Sequence, residues 1–162
     1  MKLFQGLFGK NDGIRLVSPT DGKLVSIKEV SDPTFSEEIL GKGVAVIPSD
    51  GKFCAPADGT VTTVFPTGHA AAVTTEEGVE VLIHIGLDTV KLDGKHFTIR
   101  TEEGKKVKAG DVLIEADLEK IKEEGYDIIT PVIICNSDDF SSIEPEAPAQ
   151  VGRGDYIVTL KK

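Results

Sequence analysis

The sequence predicts an all-β domain, a duplicated antiparallel β-sandwich or barrel-like hybrid in which helix is confined to short turns. Short runs rich in β-branched and aliphatic residues recur along the chain, separated by glycine, proline and aspartate. The chain has 17 glycines and 8 prolines to serve as these separators. Two Pro-x-Asp-Gly turns, at residues 18–22 and 55–59, each precede an alternating strand, which indicates a duplicated sheet motif.

The predicted strands begin after Ile14 and follow one another with short connections. They are residues 23–27, 43–47, 60–65, 70–75, 79–85, 97–100, 112–115, 132–135 and 156–160. The fourth and fifth of these form a hairpin across a Glu-Glu-Gly turn. Two short helices are expected, at residues 118–124 with Asp117 as the N-cap and at residues 36–40 with Ser36 as the N-cap.

Length and charge restrict the class of protein. A chain of 162 residues favours one domain with a sizeable core, which we assign to residues 14–162. Its 27 acidic and 18 basic residues give a net charge of −9, which argues against nucleic acid and for a basic protein partner. The cysteines, Cys54 and Cys135, are far apart and no secretory signal is evident, so we expect a cytoplasmic protein. No apolar run approaches the roughly 20 residues that span a bilayer.

Residues 1–13 form a separate N-terminal segment. Within residues 1–10, four apolar side chains fall on one helical face between two lysines, in the order Lys2, Leu3, Phe4, Leu7, Phe8 and Lys10. This amphipathic pattern predicts peripheral membrane contact. A mobile terminus whose apolar residues merely touch the domain is the alternative, because two glycines weaken the helix.

Two histidines are the candidate functional residues. His69 and His84 lie on the two predicted strands of the hairpin, and side chains of one parity share a sheet face, so we expect the imidazoles to face each other. An imidazole is nucleophilic at neutral pH and can accept a phosphoryl group. Thr67 can hold one ring nitrogen of His69, and Asp88 follows His84 in a Gly-Leu-Asp turn. A histidine satisfied within the core is the alternative for His84, which stands among aliphatic residues.

Several motifs in order resemble one known family. They are SPTDGKLVSIKEVSDPTFSEEILGKGVAV, APADGTV, TGHAAAV, EVLIHIGLDTVKLDGKHF, EEGKKVKAGD and TPVIICN. Over residues 14–162 the chain resembles the glucose-type enzyme IIA of the bacterial phosphoenolpyruvate-dependent sugar phosphotransferase system. The resemblance implies that the phosphocarrier HPr phosphorylates His84, which passes the group to a cysteine on the IIB domain of a sugar permease. It also implies that His69 supports the transfer and that Thr67 orients His69.

The resemblance further implies a partner-binding rim around the histidines. Its members would be Asp32, Phe35, Leu82, Asp88 and Val90. From the residues alone, Phe35 could equally be a core aromatic and Asp32 a turn former. Relatives often have phenylalanine beside the phosphorylated histidine, whereas this chain reads VEVLIHIG, so partner preference can differ. Regulatory binding to permeases or kinases, controlled by phosphorylation, is another implication.

Other classes of protein can be weighed against this assignment. His69 and His84 could share a zinc ion, but catalytic zinc normally has three protein ligands, so we expect no obligate cofactor and only weak or partner-dependent zinc. A zinc endopeptidase with this kind of fold would need an HxH pair, which the sequence lacks. EEGKKVKAGDVLIEAD looks like half of a biotinyl or lipoyl domain, yet the only methionine is Met1 and none flanks a candidate lysine.

Overall fold

The computed structural model describes residues 13–162. Within them the backbone forms fourteen strands and two short α-helices, joined by turns and three 3-10 segments. The strands are β1 Ile14–Val17, β2 Gly22–Ser26, β3 Lys42–Pro48, β4 Lys52–Cys54, β5 Gly59–Val64, β6 Ala70–Thr75, β7 Glu80–His84, β8 Phe97–Ile99, β9 Lys106–Val107, β10 Val112–Ala116, β11 Thr130–Ile134, β12 Ser142–Pro145, β13 Ala149–Val151 and β14 Tyr156–Lys161. The helices are α1 Pro33–Ser36 and α2 Leu118–Glu123, and the 3-10 segments are Ile27–Glu29, Thr89–Leu92 and Ser137–Asp139.

All described strand pairs are antiparallel, and they form one large sheet and two small ones. The large sheet has the order β13-β2-β3-β11-β7-β6-β5-β9, and the small sheets have the orders β1-β14-β12 and β4-β10-β8. Both small sheets pack on one face of the large sheet, which we call the inner face. The first covers Leu24, Val46 and Val81, and the second covers Val73 and Ile83. The prediction of an all-β antiparallel sandwich is confirmed.

The two Pro-x-Asp-Gly turns have equivalent roles. Each turn begins a strand of the large sheet, β2 at Gly22 and β5 at Gly59. A Cβ atom on Gly22 would lie 2.2 Å from the carbonyl oxygen of Ile47, and one on Gly59 would lie 2.2 Å from that of Thr74. Both glycines are therefore required by close approach to the neighbouring strand. This shared requirement explains the repeat that the sequence shows.

One of the two predicted helices is correct and the other is displaced. Helix α2 begins after Asp117, whose side chain accepts a hydrogen bond from the amide of Lys120, as predicted. The prediction of a helix at 36–40 capped by Ser36 is wrong. Helix α1 instead begins after Asp32, whose Oδ1 accepts from the amide of Thr34 at 3.0 Å. Proline at the first helical position favours this earlier start, and Glu38, with φ of +60°, lies outside the right-handed helical region.

The segment from Ile27 to Ser36 covers part of the outer face of the large sheet. Its apolar side chains join those of β2, β3 and β11 in one cluster: Val25, Ile27, Val30, Phe35, Ala45, Leu87, Ile129 and Ile133, with Leu82 packed at the edge. Burial of each large side chain contributes about 1.5–3 kcal/mol. The cluster ends at β7, and the candidate site begins there.

No helix within residues 13–162 is both long enough and apolar enough to cross a membrane. The predicted N-terminal segment 1–13, with its amphipathic stripe and membrane contact at residues 1–10, lies outside the described residues except for Gly13. That part of the prediction remains a prediction.

Candidate functional site

The β6–β7 hairpin brings His69 and His84 together, as predicted. Their ring centroids are 5.0 Å apart and the ring planes meet at 80°. Strand parity is not the reason, however, because β6 pairs Ala70 with His84, so Ala70 shares the sheet face of His84. His69 lies just before β6, in a bend that follows Gly68, whose φ is +74°. This bend turns the His69 ring out of the strand alternation and towards its partner.

His84 is held by the turn that follows β7. Its Nδ1 lies 2.8 Å from the carbonyl oxygen of Gly86. A carbonyl oxygen can only accept, so Nδ1 carries the proton and Nε2 keeps its lone pair in the neutral ring. Gly86 has φ of +77°, and a Cβ atom there would meet the Thr89 side chain at 2.7 Å and the Asp127 carbonyl at 2.8 Å. Only glycine fits this position without strain.

His69 is held by Thr67 and packs against Phe65. The Thr67 Oγ1 lies 2.5 Å from Nδ1 of His69. When the hydroxyl donates to Nδ1, the neutral His69 ring carries its proton on Nε2. Nε2 can then donate a hydrogen bond to another group. The Phe65 ring meets the His69 ring edge-on at 5.2 Å, and His69 is only 3% exposed.

Burial keeps both imidazoles neutral near pH 7. Desolvation, together with a smaller contribution from the neighbouring His84, lowers the pKa of His69 to about 4. Burial also lowers the pKa of His84, while the bond to the Gly86 carbonyl and the carboxylates of Asp32 and Asp88 oppose the shift. A neutral imidazole with a free nitrogen lone pair is a nucleophile.

The rim residues named from the sequence fall into buried and exposed groups. Phe35 is buried in the outer-face cluster, yet its ring lies 4.9 Å from that of His84, so it is both a core aromatic and part of the site. Leu82 is partly buried two residues before His84 on the same face. Val90 is 50% exposed. Asp32 caps α1, as a turn former would, and also acts electrostatically on His84.

Asp88 adopts a left-handed conformation, with φ of +59°, at the start of the 3-10 segment Thr89–Leu92. Its carboxylate raises the pKa of His84, as that of Asp32 does. Two negative charges therefore lie near the nucleophile, and both favour a cationic ring there.

Sequence reasoning missed four residues at the site. Phe65 and Ile99 are large apolar side chains exposed at its edge. Ile99 reaches it because β8 packs over Gly68, where a Cβ atom would lie 3.4 Å from Ile99 Cγ1. The sequence carries no signal for that long-range contact. Gly86 and Thr89 are different, because both stand in the Gly-x-Asp-Thr turn after His84 and a search for glycine-dependent turns would have found them.

The third histidine lies outside the pair. His96, in the loop before β8, hydrogen bonds through Nε2 to the carboxylate of Glu124, at the end of α2. The metal hypothesis rests on His69 and His84 alone. Among residues 13–162, no group of three or more His, Cys, Asp or Glu side chains is placed to hold a metal ion.

Comparisons with known proteins show which proteins this chain is similar to. A family model described as "phosphoenolpyruvate-dependent sugar phosphotransferase system, EIIA 1" matches residues 14–140. A glucose-specific EIIA component from Borreliella burgdorferi is 42% identical over 156 residues, covering 96% of this chain and 82% of that protein. A β-glucoside-specific EIIBCA component from Halalkalibacterium halodurans is 43% identical over 154 residues, and the chain spans 24% of its length.

The solved structure of glucose permease IIA from Mycoplasma capricolum superposes on the chain with a TM-score of 0.86. Its sequence is 37% identical, and the superposition covers 92% of this chain and 96% of that one. The fold is therefore shared along nearly the whole of both chains.

Proposed function

Since the chain belongs to the EIIA 1 family of the phosphoenolpyruvate-dependent sugar phosphotransferase system, we propose that it carries a phosphoryl group on Nε2 of His84. The donor is the phosphohistidine of HPr, and the acceptor is a cysteine of the IIB domain of a sugar permease. The single observation that supports this best is the His84 ring, fixed through Nδ1 by the Gly86 carbonyl beside a second neutral imidazole. The EIIBCA relatives, in which an EIIA region is part of a longer chain, support a IIB partner. We also propose a cytoplasmic location and a single domain over residues 14–162.

In the accepting step, the Nε2 lone pair of His84 attacks phosphorus and the bond to the donor nitrogen breaks, with its electron pair returning to the donor ring. No proton has to leave His84. The ring keeps its proton on Nδ1, hydrogen-bonded to the Gly86 carbonyl, and becomes cationic. The carboxylates of Asp32 and Asp88 stabilise that charge. In the donating step a thiolate attacks phosphorus and neutral imidazole departs, which makes His84 a good leaving group.

His69 stabilises the group in transit. Its ring is edge-on to that of His84, and the Thr67 hydroxyl can set the tautomer that carries a proton on Nε2. Such a preorganised donor can bind an equatorial phosphoryl oxygen as charge builds up on it, since phosphoryl transfer depends mainly on positioning and electrostatics. Thr67 is a positioning residue here, because it acts through His69.

An apolar rim with an acidic edge receives the partners. Phe65, Val90 and Ile99 are exposed, and Phe35 and Leu82 form the floor between them and the sheet. Dehydration by a docked partner protects the phosphorus–nitrogen bond from water. The net charge of −9 favours encounter with basic docking faces. Phosphorylation adds a phosphoryl group of about −1.5 to −2 charges to this face, which the cationic ring offsets only in part, so the binding of a regulated permease or kinase would depend on the phosphorylation state.

Zinc binding at His69 and His84 is proposed only with a further carboxylate ligand from a partner protein. The pair offers two nitrogens, whereas catalytic zinc takes three protein ligands. Calorimetric titration of the isolated chain with zinc is expected to show weak binding. Tight stoichiometric binding by the chain alone would contradict this proposal.

Incubation of the chain with phosphoenolpyruvate, enzyme I and HPr tests the main proposal. Intact mass should show the gain of one phosphoryl group, and fragment mapping should locate it on His84. H84Q should show no gain, and H96Q, which alters a histidine bonded to Glu124 away from the pair, should be phosphorylated like the unsubstituted chain. Phosphorylation of H84Q to the full extent would rule the proposal out.

A further inference from the structure

The turn that follows His84 contains a buried hydroxyl group that the transfer chemistry does not use. Thr89 is fully buried, and its Oγ1 donates a hydrogen bond to the carbonyl oxygen of Ile85 at 2.5 Å. This bond closes a turn from Ile85 to Thr89 that contains Gly86, whose carbonyl accepts the hydrogen bond from His84 Nδ1. The hydroxyl therefore acts one peptide away from the group that fixes the nucleophile.

The Gly86 peptide has little freedom to move. A Cβ atom on Gly86 would stand 2.7 Å from the Thr89 methyl group and 2.8 Å from the Asp127 carbonyl oxygen, so the space beside the Gly86 Cα is already filled. The same Asp127 carbonyl accepts from the amide of Leu87 at 3.0 Å. Two hydrogen bonds, one from the Thr89 hydroxyl to the Ile85 carbonyl and one from the Leu87 amide to the Asp127 carbonyl, thus hold the peptides on either side of Gly86.

We propose that Thr89 is a positioning residue for the nucleophile: by holding the Ile85 carbonyl, its hydroxyl aims the Gly86 carbonyl at Nδ1 of His84. This inference rests on the proposed role of His84 as the phosphoryl acceptor. The Ile85 carbonyl and the Gly86 amide share one peptide plane, so a bond that fixes this plane limits how Gly86, with φ of +77°, can present its own carbonyl to the His84 ring. Without the hydroxyl the turn can relax, and the neutral ring can then place its proton on Nε2, where it blocks the lone pair that must attack phosphorus.

The replacement of Thr89 by valine tests the hydroxyl while keeping the shape of the side chain. The readout is the tautomer of His84, measured by ¹⁵N NMR of the full-length histidine-labelled chain, together with the rate of phosphoryl transfer from phospho-HPr. We expect T89V to show a mixture of tautomers and at least a roughly tenfold slower acceptance. T89S keeps the hydroxyl and should retain the Nδ1–H tautomer and most of the rate.

Thr20 provides the matched control. Thr20 is equally buried, and its Oγ1 donates to the backbone carbonyl of Asp50 at 2.8 Å. The turn that contains Thr20 includes neither of the paired histidines and no rim residue. T20V should leave the His84 tautomer and the rate unchanged. A T89V chain that keeps a pure Nδ1–H tautomer at the unsubstituted rate would overturn the proposal, and so would a T89S chain as impaired as T89V.

If T89V does not fold, a measurement on the unsubstituted chain tests the hydrogen bond of Thr89 instead. A hydroxyl held as described gives a slowly exchanging Thr89 proton with a nuclear Overhauser effect to the Gly86 α protons, and a freely exchanging proton would refute the inference. The tautomer is read without phosphorylation. If phospho-HPr fails to modify the unsubstituted chain, the proposed function therefore fails while the role of Thr89 is still tested.

Discussion

Acidification should destabilise this protein through His69 in particular. The folded-state pKa of His69 is lowered to about 4 from an ordinary value near 6.5, so between these two pH values the unfolded chain binds more protons. The contribution of the neutral ring to stability is complete above pH 6.5, is lost as the pH falls and levels off below about pH 4. Linkage gives a loss of about 2.5 kcal/mol between pH 7.5 and pH 4.5.

The substitution H69Q isolates this effect, because glutamine does not titrate. Urea unfolding of both chains at about pH 7.5 and pH 4.5 gives two free-energy differences, and we expect the unsubstituted chain to lose about 2.5 kcal/mol more than H69Q. The contributions of ionisable groups common to both chains largely cancel in this comparison. An NMR titration of the His69 ring should have its midpoint near pH 4. Equal losses in the two chains, or a midpoint near the ordinary histidine value, would show that the ring is not desolvated as described.

H69Q and two further substitutions test the site. H69Q should still accept phosphate on His84 but pass it to a IIB domain about 100-fold more slowly, as expected for the loss of one preorganised donor of about 3 kcal/mol, and transfer at the unsubstituted rate would refute that role. D88N removes a negative charge that repels the phosphoryl group and keeps the departing His84 ring cationic, while asparagine tolerates the left-handed backbone. Loss of either effect should make the phosphoprotein hydrolyse and transfer more slowly in a radiolabel chase, and an unchanged lifetime counts against both. F35A removes a buried ring from the outer-face cluster and should lower the unfolding free energy by about 3–5 kcal/mol in urea, whereas a loss below 1 kcal/mol would place Phe35 outside the core.

Much of this fold could be predicted because its strands are encoded locally. Alternating strands such as β5 and β7 lie between turn residues, so their positions follow from the sequence within about two residues. Helix α1 could not be placed as well, because Asp32 and Ser36 are both good caps, and the packing of Phe35 against the sheet selects Asp32 together with the proline that follows it. Competing local signals of similar strength are decided by tertiary contacts.

The site shows the same division. His69, Thr67 and His84 stand in recognisable motifs, and the pairing of β6 with β7 was predictable from the turn between them. The backbone geometry that brings the rings together was not predictable, because it depends on where β6 begins. The bend at Gly68 beneath β8 decides that position. The position of Ile99 at the site could not be predicted for the same reason, since no local sequence pattern shows which distant strand covers a glycine.

Strand β7 contributes to three of the apolar clusters of the described core. Val81 belongs to the cluster under one small sheet, Ile83 to the cluster under the other, and Leu82 to the outer-face cluster. A local fluctuation that frees this strand must therefore disrupt three regions at once, so the amides of Val81 and Ile83 should exchange with deuterium only through global opening. We therefore expect His84 to lie in the part of the fold that unfolds last. A partner protein then binds the same preformed ring in every catalytic cycle.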